Sequence, residues 1–201
     1  MHRSAAIILA AGLSRRMGAQ NKLLFPIGGT PMLRHVVSQY LGALDGPITV
    51  VTGHEATRVE SALHGLNVTC VYHADFAAGQ QSSVAFGLQH CPPADVVLIG
   101  LADQPLLNSA DITLLLDAYH GADSGKISIP VMGDRRGNPI IVPDVLRPQL
   151  TANPDRPGCM RFTRDNPDLV QRHSLSALGY YTDVDTPEAY AQLPQEEARA
   201  T

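Results

Sequence analysis

Ala5-Ala-Ile-Ile-Leu-Ala10, running into Ala11-Gly-Leu-Ser-Arg-Arg-Met-Gly18, decides how the rest of the chain is read. The first segment is continuously apolar rather than alternating. That pattern suits a parallel strand buried on both faces. Behind it, Gly12, Gly18, Gly28 and Gly29, together with Pro26, mark residues 11–29 as a long loop. In a parallel sheet, the loop at the carboxyl end of a strand is where ligands collect.

Working outward, strands and helices alternate. Thr30-Pro31 reads as a capped helix start, followed by Met32, Leu33, Val36, Val37, Tyr40, Leu41 and Leu44 at helical spacing. Ile48–Val51, Val68–Tyr72 and Val96–Ile99 read as strands, and Glu55–Leu63, Ser82–Gln89 and Ala110–Tyr119 as helices. The last third is less regular. Ile127–Val131 and Pro139–Val142 flank Gly133-Asp-Arg-Arg-Gly137, a hairpin or β excursion. Pro143–Leu150 and Gly158–Arg164 are expected as short helices, Leu169–His173 and Tyr181–Val184 as strands, and Thr186-Pro187 as the start of a last helix to about Leu193. The polar tail after Pro194 is expected to fray. The expected fold is α/β: a three-layer, mostly parallel twisted sheet flanked by helices, with a small β excursion.

Composition narrows the function classes. The chain has 201 residues, 44% hydrophobic and 17% charged, which suits one α/β domain with a real core. It has no Trp, only 5% aromatic residues and a net charge of −4, so neither nucleic acid nor membrane is an expected partner. Cys70, Cys91 and Cys159 form no CxxC pair, which disfavours a disulfide framework or zinc site. The apolar run 5–11 is too short to span a bilayer and carries no signal cleavage site, so a cytoplasmic location is expected.

Charge is unevenly placed. No acid precedes Asp45, while Arg3, Arg15, Arg16, Lys22 and Arg34 all do. A solvated basic patch would explain this. An anion site in the glycine-bearing loop also would: Gly12 and Gly18 let backbone N–H groups face an anion, Ser14 adds a hydroxyl, Arg16 a planar fork and Lys22 a mobile point charge. Lys22 is one of only two lysines, against 13 arginines, which hints that a compact ammonium is wanted there. Two better-known loops do not fit. GxxxxGK[ST] fails because five residues separate Gly12 from Gly18 and Ala19 follows; GxGxxG fails because position 14 is Ser and no acid follows at the required distance.

Leu9-Ala-Ala-Gly12-Leu-Ser-Arg-Arg-Met-Gly18, then Lys22-Leu-Leu and Gly29-Thr-Pro-Met-Leu33, resembles the signature of the MobA-like NTP transferases. It is closest to their molybdenum cofactor cytidylyltransferase branch, whose loop carries LAAG where the guanylyl branch usually has LAGG. The resemblance implies a nucleotide-diphospho-sugar transferase-like, Rossmann-like fold in a single domain, 1–201. Residues 1–105 would form a nucleotide-binding half, 106–194 an acceptor-binding half and 195–201 a tail. It implies CTP and a molybdopterin-type acceptor as substrates, Mg²⁺ as cofactor, and a molybdenum hydroxylase as a recipient of the product.

Nucleotidyl transfer passes negative charge through the α-phosphate onto pyrophosphate, so acids that hold Mg²⁺ should face the basic loop. Asp103, in Gly100-Leu-Ala-Asp-Gln-Pro105, follows a strand; it suits either a turn cap or, by resemblance to the family's metal-binding segment, a metal ligand. Asp185, before Thr186-Pro187, suits either an ordinary helix start or, by resemblance, the second ligand, with Asp183 as a neighbour that orients it. Arg16, Lys22 and Asp103 are the expected catalytic residues. Leu9, Ala10, Ala11, Gly12, Ser14, Arg16, Gly18 and Lys22, with Gly79, Ser82 and Ser83 from a segment like the family's G-x-x-S-S, are the expected nucleotide contacts. Serines there also suit a helix cap. Gln104, Asn138 (where the family often has His) and Arg156 are the expected acceptor contacts; Arg161 and Arg164 could help or simply face solvent. Three other readings stay open: another phosphorylated acceptor such as a sugar phosphate or methylerythritol phosphate, an NAD(P)H-dependent oxidoreductase on the same scaffold, and a non-catalytic cofactor-maturation factor.

Overall fold

The computed structural model describes residues 3–17, 20–152 and 158–193. In chain order the elements are β1 (Ser4–Ala10), β2 (Pro26–Ile27), β3 (Thr30–Pro31), α1 (Met32–Ala43), β4 (Ile48–Thr52), α2 (Ala56–Ala62), β5 (Thr69–Tyr72) and α3 (Gln80–His90). Then follow β6 (Val96–Leu101), α4 (Ser109–His120), β7 (Ile127–Met132), β8 (Arg135–Arg136), β9 (Ile140–Pro143), α5 (Arg147–Thr151), α6 (Cys159–Asp165), β10 (Val170–Ser174) and α7 (Pro187–Ala191). The main sheet has the order β10-β7-β9-β6-β1-β4-β5, with β8 added to β7. β1 pairs in parallel with β4 and β6, β4 with β5, and β10 with β7; β9 runs antiparallel to β6 and β7. The sheet is therefore mixed but mostly parallel, as expected.

The unbroken apolar run of β1 has a simple cause. Ala6 and Ile8 face one layer, with Met32, Leu33, Val36 and Tyr40 of α1 and Ile112 and Leu115 of α4. Ala5 and Ile7 face the other, with Val84 and Leu88 of α3, Leu150 of α5 and Cys159 of α6. Both faces are dry, so successive residues must both be apolar. Ile7, Ile8 and Leu98 are fully buried, each contributing about 1.5–3 kcal/mol. Gly87 lets α3 sit close on the sheet: a Cβ there would lie 2.6 Å from Ile7 Cγ2. Among the described residues, no helix is long and apolar enough to cross a membrane.

Two local expectations fail. Thr30-Pro31 does not cap α1; it forms β3, antiparallel to β2, and Pro31 holds the cap position without a side-chain hydrogen bond. Tyr181–Val184 is not a strand. A 3-10 turn, Leu178–Tyr180, leads into an irregular segment whose backbone bonds are scattered. The Tyr180 carbonyl accepts from Asn138 N (2.8 Å) and Gln104 Nε2 (3.1 Å), and Val184 N donates to the Asp103 carbonyl at 2.9 Å. The helix expected after Thr186 does form, with the Thr186 hydroxyl accepting from Ala189 N at 3.2 Å.

Candidate active site

A cavity of about 490 Å³ opens at the carboxyl ends of β1 and β6. Its walls are drawn from the end of β1 and the loop after it (Gly12, Arg16, Lys22), from the start of α3 and the turn before it, from Leu101 and Asp103, and from Asp183 and Asp185. Leu9 and Ala11 line it, whereas Ala10 belongs to the layer packed under α1 and does not. The two-residue period of β1 makes this unavoidable, which corrects the expectation for Ala10.

The loop after β1 is shaped by its own polar side chains. Ser14 takes a left-handed backbone (φ 49°), its carbonyl accepts from Met17 N at 2.8 Å, and its hydroxyl accepts from Lys22 N at 3.4 Å. Asn21 is buried and caps the 3-10 turn Lys22–Leu24, accepting from Leu23 N at 3.2 Å. Sequence reasoning passed over Asn21, although Asn before a short helical turn is an N-cap signal. Gly12 lines the cavity, and a Cβ built on it meets nothing within 4 Å, so a ligand can approach the backbone there. Gly18 lies outside the described residues.

The charged groups converge. Lys22 Nζ donates to Asp103 Oδ2 and, at 2.7 Å, to Asp185 Oδ1. Arg16 donates to Asp185 Oδ2 at 2.6 Å. The structure therefore brings together four groups that lie up to 169 residues apart in sequence. Burial works against the Lys22 ammonium, yet the attraction and hydrogen bonds of Asp103 and Asp185 outweigh it and raise its pKa. For Asp185, burial is likewise outweighed, by Lys22 and Arg16, and the carboxyl is held below its ordinary range. Asp183 remains accessible at the cavity wall, but partial desolvation and the charges of Asp103 and Asp185 push it up. Asp103 Oδ1 is buried and has no hydrogen-bond partner among the described residues. Asp103 and Asp185 thus share two cations at one end of the slot, with Asp183 on the same wall. No group of three or more His, Cys, Asp or Glu side chains gathers as a metal cage among the described residues, so a divalent ion here would have to draw on at most two carboxylates together with phosphate oxygens.

The opposite wall follows β5. Gly79 takes φ 109°, and a Cβ there also meets nothing within 4 Å. Ser83 is buried against the cavity. Ser82 does not line it: its hydroxyl donates to the Gly79 carbonyl at 2.7 Å and meets His73 Nε2 at 3.1 Å, which is helix-start stabilisation. Phe76, Ala77 and Gln80 line this wall and were not expected from sequence. A Cβ on Gly53 would strike the Phe76 ring and Ala11, so Gly53 sets how closely that wall approaches β1.

The expected acceptor contacts fare differently. Gln104 is fully buried and its amide holds the Tyr180 carbonyl, so it positions the 177–185 segment and does not reach the cavity. Asn138 uses its backbone N–H for the same carbonyl and lies outside the cavity lining. Arg156 lies outside the described residues. Arg161 pairs with Asp165 at 3.3 Å.

Comparison with known proteins adds the family. A bifunctional protein GlmU from Burkholderia vietnamiensis (strain G4 / LMG 22486) is 32% identical over 139 residues, 69% of this chain but 30% of that protein, so the chain spans under a third of that relative's length. A nicotine blue oxidoreductase from Paenarthrobacter nicotinovorans is 28% identical over 199 residues, covering 93% of this chain and 94% of its own. Among solved structures, a nucleotidyl transferase from Methanothermobacter thermautotroptrophicus superposes with a TM-score of 0.80 at 22% identity, covering 94% of each chain. That likeness shows the fold. The family model of the MobA-like NTP transferase domain matches residues 6–173, which take in most of β1, the basic loop and Asp103, and on that match the chain belongs to the MobA-like NTP transferases.

Proposed function

We propose that this protein is a Mg²⁺-dependent cytidylyltransferase that moves CMP from CTP to the terminal phosphate of a molybdopterin-type acceptor and releases pyrophosphate. The observation that carries the reading is the convergence of Arg16 and Lys22 with Asp103 and Asp185 beside a glycine-bearing slot. Nucleotidyl transfer asks for that combination: cations for the phosphates, and carboxylates for the metal that neutralises charge building on the α-phosphate and departing pyrophosphate.

In this reading Gly12 lets the triphosphate lie against the backbone, while Arg16 and Lys22 hold it. Leu9, Ala11, Gly79 and Ser83 bound the nucleoside end, and Phe76 gives it an apolar side. Asp103 and Asp185 are the metal ligands: the unpartnered Asp103 Oδ1 is a ready donor, and Asp185 faces it across Lys22. Bound there, Mg²⁺ would supply charge neutralisation and alignment. The acceptor phosphate attacks the α-phosphate in line, and no protein nucleophile or covalent intermediate is required. Residues 1–105 supply most of the nucleotide side, and the acceptor approaches from the half formed by 106–194. Ala11, in the LAAG form of the loop, favours CTP.

The deciding experiment is a pyrophosphate-release screen of CTP, GTP, ATP and UTP, each with and without molybdopterin. Release with GTP and not CTP overturns the base assignment. Release with a sugar phosphate or methylerythritol phosphate in place of molybdopterin overturns the acceptor. A second reading, an NAD(P)H-dependent oxidoreductase, draws on the full-length likeness to the nicotine blue oxidoreductase. An absorbance assay for NAD(P)H consumption with a dye acceptor separates the two. A maturation factor that only carries the cofactor would release no pyrophosphate with any pair.

A further inference from the structure

Both oxygens of Asp185 already hold a cation. Its Oδ1 is taken by Lys22 at 2.7 Å and its Oδ2 by Arg16 at 2.6 Å. Lys22 also holds Asp103 Oδ2, so one ammonium spans the two carboxylates proposed as metal ligands. The Lys22 side chain is only 11% exposed, against 67% for Arg16, so Lys22 is the sequestered cation of the pair. A divalent ion bridging Asp103 and Asp185 would meet this ammonium at close range, where like charges repel strongly.

The lysine is built to move its head without moving its base. Its backbone is fixed: Phe25 N donates to the Lys22 carbonyl at 3.1 Å, Leu24 N donates to the Asn21 carbonyl at 3.0 Å, and Ser14 and Asn21 brace the turn. Its four-carbon stem and three rotatable donors allow the ammonium to swing between acceptors, which a planar guanidinium does less readily. Ser14 and Gly12, on the same wall, mark where a phosphate would draw it.

We propose that Lys22 is an internal stand-in for the metal: before nucleotide binds, its ammonium clamps Asp103 and Asp185 together, and the triphosphate pulls it away and opens the carboxylates to the divalent ion. The inference rests on the metal assignment made above and adds an order of events. Metal alone competes with Lys22 and binds weakly. Triphosphate removes the competitor, so triphosphate and metal strengthen each other beyond their own direct contact. Lys22 in this role is a positioning residue for the metal site as well as a phosphate contact.

The test uses Mn²⁺ as the metal and inorganic triphosphate as the anion, so the base and the acceptor do not enter. Mn²⁺ affinity is measured by EPR titration for the unmodified protein and for Lys22→Met, with and without triphosphate. Without triphosphate, Lys22→Met is expected to bind Mn²⁺ about tenfold or more tightly than the unmodified protein, and triphosphate should then add less to its affinity. Unchanged or weaker Mn²⁺ binding by Lys22→Met overturns the proposal, while Mn²⁺ bound by both proteins with triphosphate leaves the metal assignment standing. Absence of Mn²⁺ binding under every condition sinks both. A second measurement needs no variant. The chain has two lysines, Lys22 and Lys126, so ¹⁵N-lysine labelling gives two side-chain signals. The Lys22 signal is expected to shift on adding Mg²⁺ with triphosphate while that of Lys126 stays; a stationary Lys22 signal overturns the proposal even if Lys22→Met does not fold.

Discussion

Asp103→Asn separates the chemistry of the cavity from its stability. The substitution preserves side-chain volume and removes the charge. Lys22 then loses a carboxylate partner but keeps Asp185 Oδ1 at 2.7 Å. Two unit charges about 3 Å apart, at an effective dielectric near 20, attract by roughly 5 kcal/mol before desolvation. Both side chains of the Lys22–Asp103 pair are largely buried, at 11% and 18% exposure, so desolvation cancels much of that. The asparagine oxygen can still accept from the ammonium, and Lys22 is not left uncompensated. The expected loss of folding stability is therefore only about 1–2 kcal/mol. Turnover should fall much further. Removing a group that stabilises the charge developing at phosphorus costs about 3–4 kcal/mol of barrier, roughly two to three orders of magnitude in rate. Continuous pyrophosphate detection with CTP and Mg²⁺ reads the second number, and urea unfolding reads the first. A variant that turns over within about threefold of the unmodified protein would show that residue 103 is not a metal ligand.

Three further outcomes follow from the geometry. Tyr40→Phe should raise stability by about 1 kcal/mol in urea unfolding, because the Tyr40 hydroxyl is buried without a hydrogen-bond partner among the described residues; a loss of similar size would reveal a partner for that hydroxyl. Gly79→Ala should cost about 1–2 kcal/mol, since φ at that position is 109° and an alanine there is strained; it should also raise KM for the nucleotide, and an unchanged KM argues against a nucleoside contact at Gly79. The acids give opposite pH signatures. Asp185 has a depressed pKa, so its stabilisation is present above the ordinary carboxyl value of 3.8 and is lost as pH falls through the lower folded value. Asp183 has a raised pKa and so opposes folding once pH exceeds that ordinary value of 3.8. Asp183→Asn should therefore stabilise at neutral pH by a few tenths of a kcal/mol after solvent screening, with the gain vanishing in acid; a gain equal at pH values near 3 and 7 contradicts the argument.

The parts of the site that follow strands were readable because their signal is local. Ala5–Ala10 fits a strand covered on both faces, and the glycines and cations behind it fall where a parallel sheet gathers ligands. What the sequence could not show was orientation within the segment. Ala10 and Ala11 are identical in type, yet the two-residue period sends one to the core and the other to the cavity. Asp103 and Gln104 are neighbours in one turn, yet one faces the cavity and the other buries its amide under Tyr180. Tyr181–Val184 has the residue types of a strand, but its long-range hydrogen bonds go to the Asp103 carbonyl and the Arg135 guanidinium in other parts of the chain, and no local pattern encodes that. Phe76 was missed for a similar reason. It becomes a wall only because Gly53 and Ala11 let it approach.

The segment carrying Asp183 and Asp185 is fastened by scattered hydrogen bonds, Val184 N to the Asp103 carbonyl, Gln104 and Asn138 to the Tyr180 carbonyl, Arg135 to the Tyr181 carbonyl at 2.7 Å and the Tyr181 hydroxyl to the Leu175 carbonyl at 2.6 Å, and by the burial of Tyr180, Tyr181 and Val184. It contributes no rung to the sheet. In a ladder, a one-residue insertion would turn every following side chain to the wrong face. Here the register is held instead by side chains that plug the core, Tyr180, Tyr181 and Val184, so an insertion between Tyr181 and Asp185 would draw Asp185 away from Lys22 and Arg16 without disturbing any strand.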